Sequence, residues 1–77
     1  MLEVTIEWQD IVAKAEWIKP DELTGPVRCL SSGWIVQEEP HWIAVAGCLN
    51  FEDYDTLDEV SNVDQIPLGC VTFIYTH

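Results

Sequence analysis

Residues 27–49 read VRCLSSGWIVQEEPHWIAVAGCL and hold the densest β-strand signal in the chain. The stretch is rich in β-branched and aromatic residues, and its short apolar runs are bounded by turn residues. Ser31-Ser32-Gly33 predicts a tight turn, and Pro40-His41 predicts a second break because proline cannot donate to a strand ladder. Both faces of this hairpin are apolar, so we expect another element or another subunit to cover the second face.

The residues before the hairpin change their periodicity at Trp8. Met1 to Trp8 alternates between apolar and polar side chains, which favours a short strand or an extended arm. A helix over about residues 8–18 is then predicted, because apolar residues recur at helical spacing, and Pro20 ends it. The residues of this stripe are Trp8, Ile11, Val12, Ala15 and Ile18.

The residues after the hairpin predict an acidic loop and two closing strands. Residues 51–62 form the loop, with five carboxylates between Glu52 and Glu59. Like charges disfavour ionisation, so crowding predicts raised pKa values there. The sequence therefore predicts a mainly β domain over residues 1–77, a small five-stranded antiparallel barrel of the Sm-like or SH3-like type at about residues 27–76, with a short N-terminal helix. Its five strands would be Val27–Ser31, Trp34–Glu39, Trp42–Leu49, Val63–Pro67 and Cys70–Thr76.

Charge is the strongest compositional signal. The chain has 14 acidic and 3 basic residues, for a formal net charge of −11. Non-specific nucleic-acid binding replaces phosphate counterions with Lys and Arg, so at most Lys14, Lys19 and Arg28 are available for such contacts in each subunit. The field of the whole molecule should repel DNA and RNA.

No group of residues in the sequence has the types and spacing of a known catalytic or metal-binding motif. Cys29, Cys48 and Cys70 lie in apolar runs, where free cysteine behaves as a small hydrophobe, and they lack the spacing of a zinc site. His41 and His77 are the only histidines. We therefore expect no enzymatic activity, no metal and no cofactor. Neither a signal peptide nor a membrane span is visible, which favours a soluble protein of a reducing cytoplasm.

A chain this short builds a small core, so oligomerisation is the expected means of stabilising it. The last two strands are too apolar to remain open edges, and pairing them between subunits would close a ring. The candidate interface residues are Ile66, Val71, Phe73 and Tyr75.

Several short motifs follow one another along the chain: Trp8-x-Asp10, Trp17, Pro26-Val27, Ser32-Gly33-Trp34-Ile35-Val36, Ile43-Ala44-Val45-Ala46 and Ile66-Pro67-x-Gly69-Cys70-Val71. Their order resembles small proteins of marine phages and ocean metagenomes that have Sm-like barrels. The resemblance implies an N-terminal helix, a strongly bent five-strand sheet, ring assembly through the last two strands, and the cytoplasm of an infected bacterium as the location. Where Sm proteins bind a base with an Asn and an Arg-Gly pair, this chain has Glu39-Pro40-His41 and Pro67-Leu68-Gly69.

Two classes of function remain open. By fold analogy the ring associates with RNA or single-stranded DNA, using cations gathered by symmetry and exposed aromatic side chains for stacking. Alternatively, the chain is an acidic protein-interaction module, or a nucleic-acid mimic, that occupies a basic partner surface. The candidate nucleic-acid-binding residues are Arg28, Lys14, Lys19, Phe51 and Tyr54.

Overall fold

The computed structural model describes all 77 residues and contains one open sheet of five antiparallel strands. The strands are β1 (Glu3–Asp10), β2 (Val27–Glu38), β3 (Trp42–Phe51), β4 (Leu57–Pro67) and β5 (Val71–Thr76). Their order across the sheet is β4-β3-β2-β1-β5. Two single 3₁₀ turns, Pro20–Glu22 and Leu68–Cys70, are the only helical residues. The predicted mainly β class with five antiparallel strands is therefore confirmed.

The predicted helix over residues 8–18 is wrong. Trp8 to Asp10 continue β1, and residues 11–19 have no regular secondary structure. The Trp8 indole N–H donates to the Ser31 hydroxyl of the neighbouring strand at 2.9 Å, which ties the first residue of the helical stripe into the sheet. A helix of two to three turns is marginal in water unless its apolar face packs, and Ile11 and Trp17 are exposed here.

The predicted turn at Ser31-Ser32-Gly33 is also wrong, because β2 runs through it without a break. A Cβ at Gly33 would overlap the Ala46 carbonyl oxygen and lie 2.8 Å from its carbon. Glycine therefore serves the close approach of β2 to β3 rather than a chain reversal. The two short strands predicted on either side of this turn form one strand, β2. The first strand along the chain is instead the N-terminal segment, Glu3–Asp10.

The acidic loop is shorter than predicted. Residues 57–62 belong to β4, so only residues 52–56 form the reversal between β3 and β4. The sequence does not reveal the pairing of residues 57–62 with β3, because several of their strand positions are charged. Glu59, for example, lies opposite Asn50 in the ladder.

The main core cluster lies on one face of the bent sheet and is small. Only 8 of 77 residues are buried. The radius of gyration is 16.0 Å, against about 11 Å for a compact domain of this length. Much apolar surface therefore stays open in a single copy. The core cluster is Val4, Ile6, Ile43, Val45 and Ile66, with Trp8, Ile35 and Val71 packed against it.

The elongated shape follows from where the ladders end. β2 and β3 pair only from Glu38↔Ile43 to Trp34↔Ala46, whereas β3 and β4 stay paired as far as Phe51↔Leu57. Residues 47–62 therefore continue past the β2–β3 ladder as a two-stranded ribbon. We call them the ribbon, and we call residues 11–26, which join β1 to β2, the arm.

Candidate interaction surfaces

The tip of the ribbon is a defined turn. The Glu52 amide donates to the Thr56 carbonyl at 2.8 Å, and the Asp53 carboxylate accepts from the amides of Asp55 and Thr56 at 3.0 Å each. These hydrogen bonds lower the pKa of the Asp53 carboxyl below its ordinary value. The expectation that crowding raises the pKa values of this segment is therefore wrong for Asp53, since backbone donors favour its charged form.

One face of the ribbon is apolar. Residues directly opposite each other in an antiparallel pair share a face, and Leu49 lies opposite Val60 while Phe51 lies opposite Leu57. This face continues that of Ile43 and Val45 in the core, because side chains alternate along a strand. Phe51 is 44% exposed and Val60 is 38% exposed. Phe51 and Tyr54 line one shallow depression together with Asp53, and Tyr54 is fully exposed.

The single arginine is paired with a carboxylate of the neighbouring strand. The Arg28 guanidinium donates to the Glu7 carboxylate on the neighbouring strand, and the Thr72 hydroxyl donates to the same carboxylate at 2.9 Å. The bond from Arg28, followed by that from Thr72, lowers the pKa of the Glu7 carboxyl. Arg28 therefore joins β2, β1 and β5 into one polar network, and Glu7 offsets its charge although the Arg28 side chain stays 66% exposed.

The other predicted nucleic-acid residues lie in two separate places. Lys14 and Lys19 lie in the arm and form no ion pair, while Phe51 and Tyr54 lie together at the ribbon tip. No hydrogen bond or ion pair joins the arm to the ribbon within one chain. A single copy thus brings the two aromatic residues together but does not add the cations to them.

The candidate interface residues divide between the core and the free edge. Ile66 is 1% exposed, so its side chain lies in the core and only its backbone can contribute to a β4 edge. Val71 packs against the core cluster. Phe73 is 55% exposed and Tyr75 is 45% exposed, and their rings contact each other at a centroid distance of 4.5 Å. β4 and β5 are the two free edges of the sheet.

A hydrogen-bonded chain across the core face was not predicted from the sequence. Trp8 donates to the Ser31 hydroxyl, which donates to the Asp64 carboxylate at 2.6 Å. Ser31 is the only buried polar residue. Sequence reasoning assigned Ser31 to a turn, and only the β1–β2 register, which places Ile6 opposite Ser31, could have revealed it as an inward-facing strand residue.

Metal-ligating side chains do not cluster in the structure. It brings no three His, Cys, Asp or Glu side chains into a metal-binding group, and its three cysteines are free thiols. No helix in it combines the length and apolar character needed to cross a bilayer. Comparison with protein-family models, with curated proteins and with solved structures gives no significant match.

Proposed function

We propose that the chain is a non-enzymatic, self-assembling interaction module whose acidic ribbon receives a basic, partly apolar segment of a protein. The observation that carries the proposal is the ribbon itself. Its apolar face stays open beyond the sheet, five carboxylates lie at and beside its tip, and the one arginine of the chain is held by Glu7. Complementary charge then steers a basic partner to the surface.

Assembly through the sheet edges forms the second part of the proposal. Pairing of the last two strands between subunits requires both of them to be edge strands, and β4 and β5 meet that condition. An Sm-like ring closed in this way removes both exposed edges and covers Phe73 and Tyr75. A cytoplasmic location, in an infected bacterium if the chain is phage-encoded, belongs to the same proposal.

Nucleic-acid binding is the second candidate function. Tyr54 is fully exposed beside Phe51, and exposed aromatic side chains are the platforms on which unpaired bases stack. The Sm-like resemblance supports the same candidate. Repulsion by a net charge of −11 opposes it, and the nearest unpaired cations, Lys14 and Lys19, lie in the arm.

Binding titrations distinguish the two functions. We would titrate the full chain into a fluorescent peptide of alternating Lys and Leu, a short RNA and a short single-stranded DNA, each at low and moderate salt. The peptide should bind, more weakly as salt rises, and the nucleic acids should not. Reversing Glu52→Lys with Asp55→Lys should weaken peptide binding at least about tenfold. Tighter binding of RNA or DNA than of the peptide would favour the second candidate.

A matched control distinguishes an effect of the ribbon carboxylates from an effect of the net charge. Glu38→Lys with Glu39→Lys makes the same change in net charge at the β2–β3 turn, at the opposite end of β3 from the ribbon tip. This variant should retain most of the peptide affinity. An equal loss in both double variants would show that the peptide responds to net charge alone.

A further inference from the structure

The arm is longer than the fold requires. β1 and β2 pair up to Asp10↔Val27, a junction that a two-residue hairpin turn can close. The chain inserts residues 11–26 there, with one 3₁₀ turn and no strand or α-helix. Connections of more than about 12–15 residues without secondary structure are uncommon in compact domains and are usually functional when ordered.

The arm carries apolar side chains and two lysines that have no partner in the chain, and it also carries three carboxylates, Glu16, Asp21 and Glu22, so its net charge is −1. Ile11 is 82% exposed and Trp17 is fully exposed. Lys14 and Lys19, the two basic residues other than Arg28, form no ion pair. Both kinds of group are in water, so both are available to a surface that is apolar with a negative rim.

The ribbon is a surface of that kind. Its apolar face exposes Phe51 and Val60, and the carboxylates of Glu52 and Asp55 lie at the turn without a side-chain partner. The arm and the ribbon tip also leave the same end of the sheet, because β1 and β3 run in the same direction and both end there.

We infer that the arm of one copy docks on the ribbon of a second copy of this chain. Ile11 and Trp17 cover the apolar ribbon face, while Lys14 and Lys19 approach the carboxylates at its tip. The inference rests on the proposed function, since it names the occupant of the same ribbon. Each copy has one arm and one ribbon, so two copies can exchange arms reciprocally around a two-fold axis.

A second copy is favoured over the chain's own ribbon for two reasons. The β2–β3 ladder ends at Trp34↔Ala46, so the strand pair that bears the arm separates from the ribbon beyond that point. No hydrogen bond or ion pair joins the two within one chain. An arm of this length extends up to about 25 Å from the sheet, far enough to reach a neighbour.

Charge complementarity acts locally, between the two lysines and the ribbon tip, even though the arm as a whole has a net charge of −1 and each copy one of −11. At physiological salt the Debye length is about 8 Å, so carboxylates farther away on the second copy are largely screened. Opposite charges in contact at the ribbon tip are screened much less, and burying Trp17 against Phe51 adds a contribution that is independent of salt.

Isotope-mixed cross-linking tests which chain provides the arm. Equal amounts of unlabelled and ¹⁵N-labelled full-length protein are mixed in urea, refolded together so that copies of both labels can associate, and treated with a zero-length carbodiimide reagent. We expect cross-linked peptides that join Lys14 or Lys19 of one label to Glu52 or Asp55 of the other. Cross-links found only within one label, or no cross-link between arm and ribbon, would overturn the inference.

Charge-reversal variants test the same contact by affinity. Lys14→Glu with Lys19→Glu should weaken self-association about tenfold, as should Glu52→Lys with Asp55→Lys. Combining all four changes in one chain should restore association to within a few-fold of the parent. The matched pair Glu38→Lys with Glu39→Lys should not weaken it, because a smaller net negative charge lessens repulsion between copies. Unchanged association in the first two variants would contradict arm docking.

The two proposals can fail separately. If Glu52→Lys with Asp55→Lys abolishes binding of the Lys–Leu peptide but arm cross-links are absent, the ribbon is an acidic docking surface and the arm is not its occupant. If arm cross-links between labels form while the peptide fails to bind, the ribbon serves self-assembly alone. Trp17→Ala tests arm docking without a change of charge, and it should weaken self-association. Because the Trp17 side chain is fully exposed in the single copy, its removal should not disturb the fold.

Discussion

The Ser31 hydroxyl lies 2.6 Å from the Asp64 carboxylate, joining β2 to β4 across the strand that separates them. Two strands on either side of β3 can meet in this way only because the sheet curves around its core face. The same hydroxyl accepts from the Trp8 indole at 2.9 Å, so one buried group links β1, β2 and β4.

Ser31→Ala should therefore destabilise the fold by about 1–3 kcal/mol, because it leaves the half-buried Trp8 N–H without a partner and removes the donor to Asp64. Urea unfolding followed by Trp fluorescence measures the change. Asp64→Asn should cost less, since Asp64 is exposed and the amide oxygen can still accept. Ser61→Ala is the control, because Ser61 is exposed and makes no side-chain hydrogen bond. Equal stability of the Ser31→Ala and Ser61→Ala variants would contradict a stabilising role for the hydrogen bonds that join Trp8, Ser31 and Asp64.

Gly33→Ala should be among the more costly single-methyl changes in the protein. The added Cβ would overlap the Ala46 backbone carbonyl, and backbone cannot move aside as a flexible side chain can. We expect a loss of about 1–3 kcal/mol in unfolding free energy. Gly69→Ala is the matched control, since a Cβ there meets nothing within 4 Å. A similar stability for the two variants would show that β2 can shift away from β3 at little cost.

The sequence predicted the fold class better than its elements. Alternation and β-branched content indicated strands correctly, and the Pro40-His41 break does separate β2 from β3. The local signal at Ser31-Ser32-Gly33 favoured a turn because those residue types favour turns, whereas the structure uses the glycine for the approach of β3. The helical stripe from Trp8 failed because its first residue is tied to Ser31, a tertiary contact that local periodicity does not contain.

The candidate site was predicted in part for a similar reason. Phe51 and Tyr54 could be recognised as exposed aromatics because acidic residues surround them in the sequence. The pairing of Arg28 with Glu7 depends on the β1–β2 register and is invisible to composition. The β4 half of the ribbon was mistaken for part of a loop because its carboxylates obscure the strand pattern. Leu49, Phe51, Leu57 and Val60 form an apolar face only when β3 and β4 pair.

The hydrogen bonds to Glu7 predict a loss of stability in acid. Arg28 and Thr72 lower the folded pKa of this carboxyl, so the folded state binds fewer protons than the unfolded chain as pH falls. Its contribution to stability is complete above the unfolded value of about 4 and is lost as pH falls through the lower folded pKa. Glu7→Gln should therefore be less stable than the parent at pH 6 and should lose less stability between pH 6 and pH 3.

Urea midpoints of the Glu7→Gln variant and the parent, measured at intervals between pH 6 and pH 3, give the comparison. Glu16→Gln is the control, because Glu16 lies in the arm and makes no hydrogen bond or ion pair. It should follow the pH dependence of the parent. If Glu7→Gln also follows the parent, the network of Arg28, Glu7 and Thr72 does not hold β5 to β1 in solution.

Edge pairing predicts that assembly depends on the exposed aromatic residues of β5. Phe73→Lys with Tyr75→Lys places two positive charges on an edge strand, which disfavours pairing with another strand. Both side chains are exposed and lie outside the core cluster, so the single copy should remain folded by circular dichroism. Light scattering across a concentration series should show the mass falling to at most a dimer, the species that arm exchange alone would leave.

Leu2→Lys with Leu30→Lys provides the matched control for this variant. Both leucines are exposed to a similar extent and the change in net charge is the same, but neither residue lies on β4 or β5. Because reducing a net charge of −11 should by itself lessen repulsion between copies, this control should assemble at least as well as the parent. A parent-like mass for Phe73→Lys with Tyr75→Lys would place the subunit contact away from β5, and a monomeric parent at micromolar concentration would exclude both edge pairing and arm exchange.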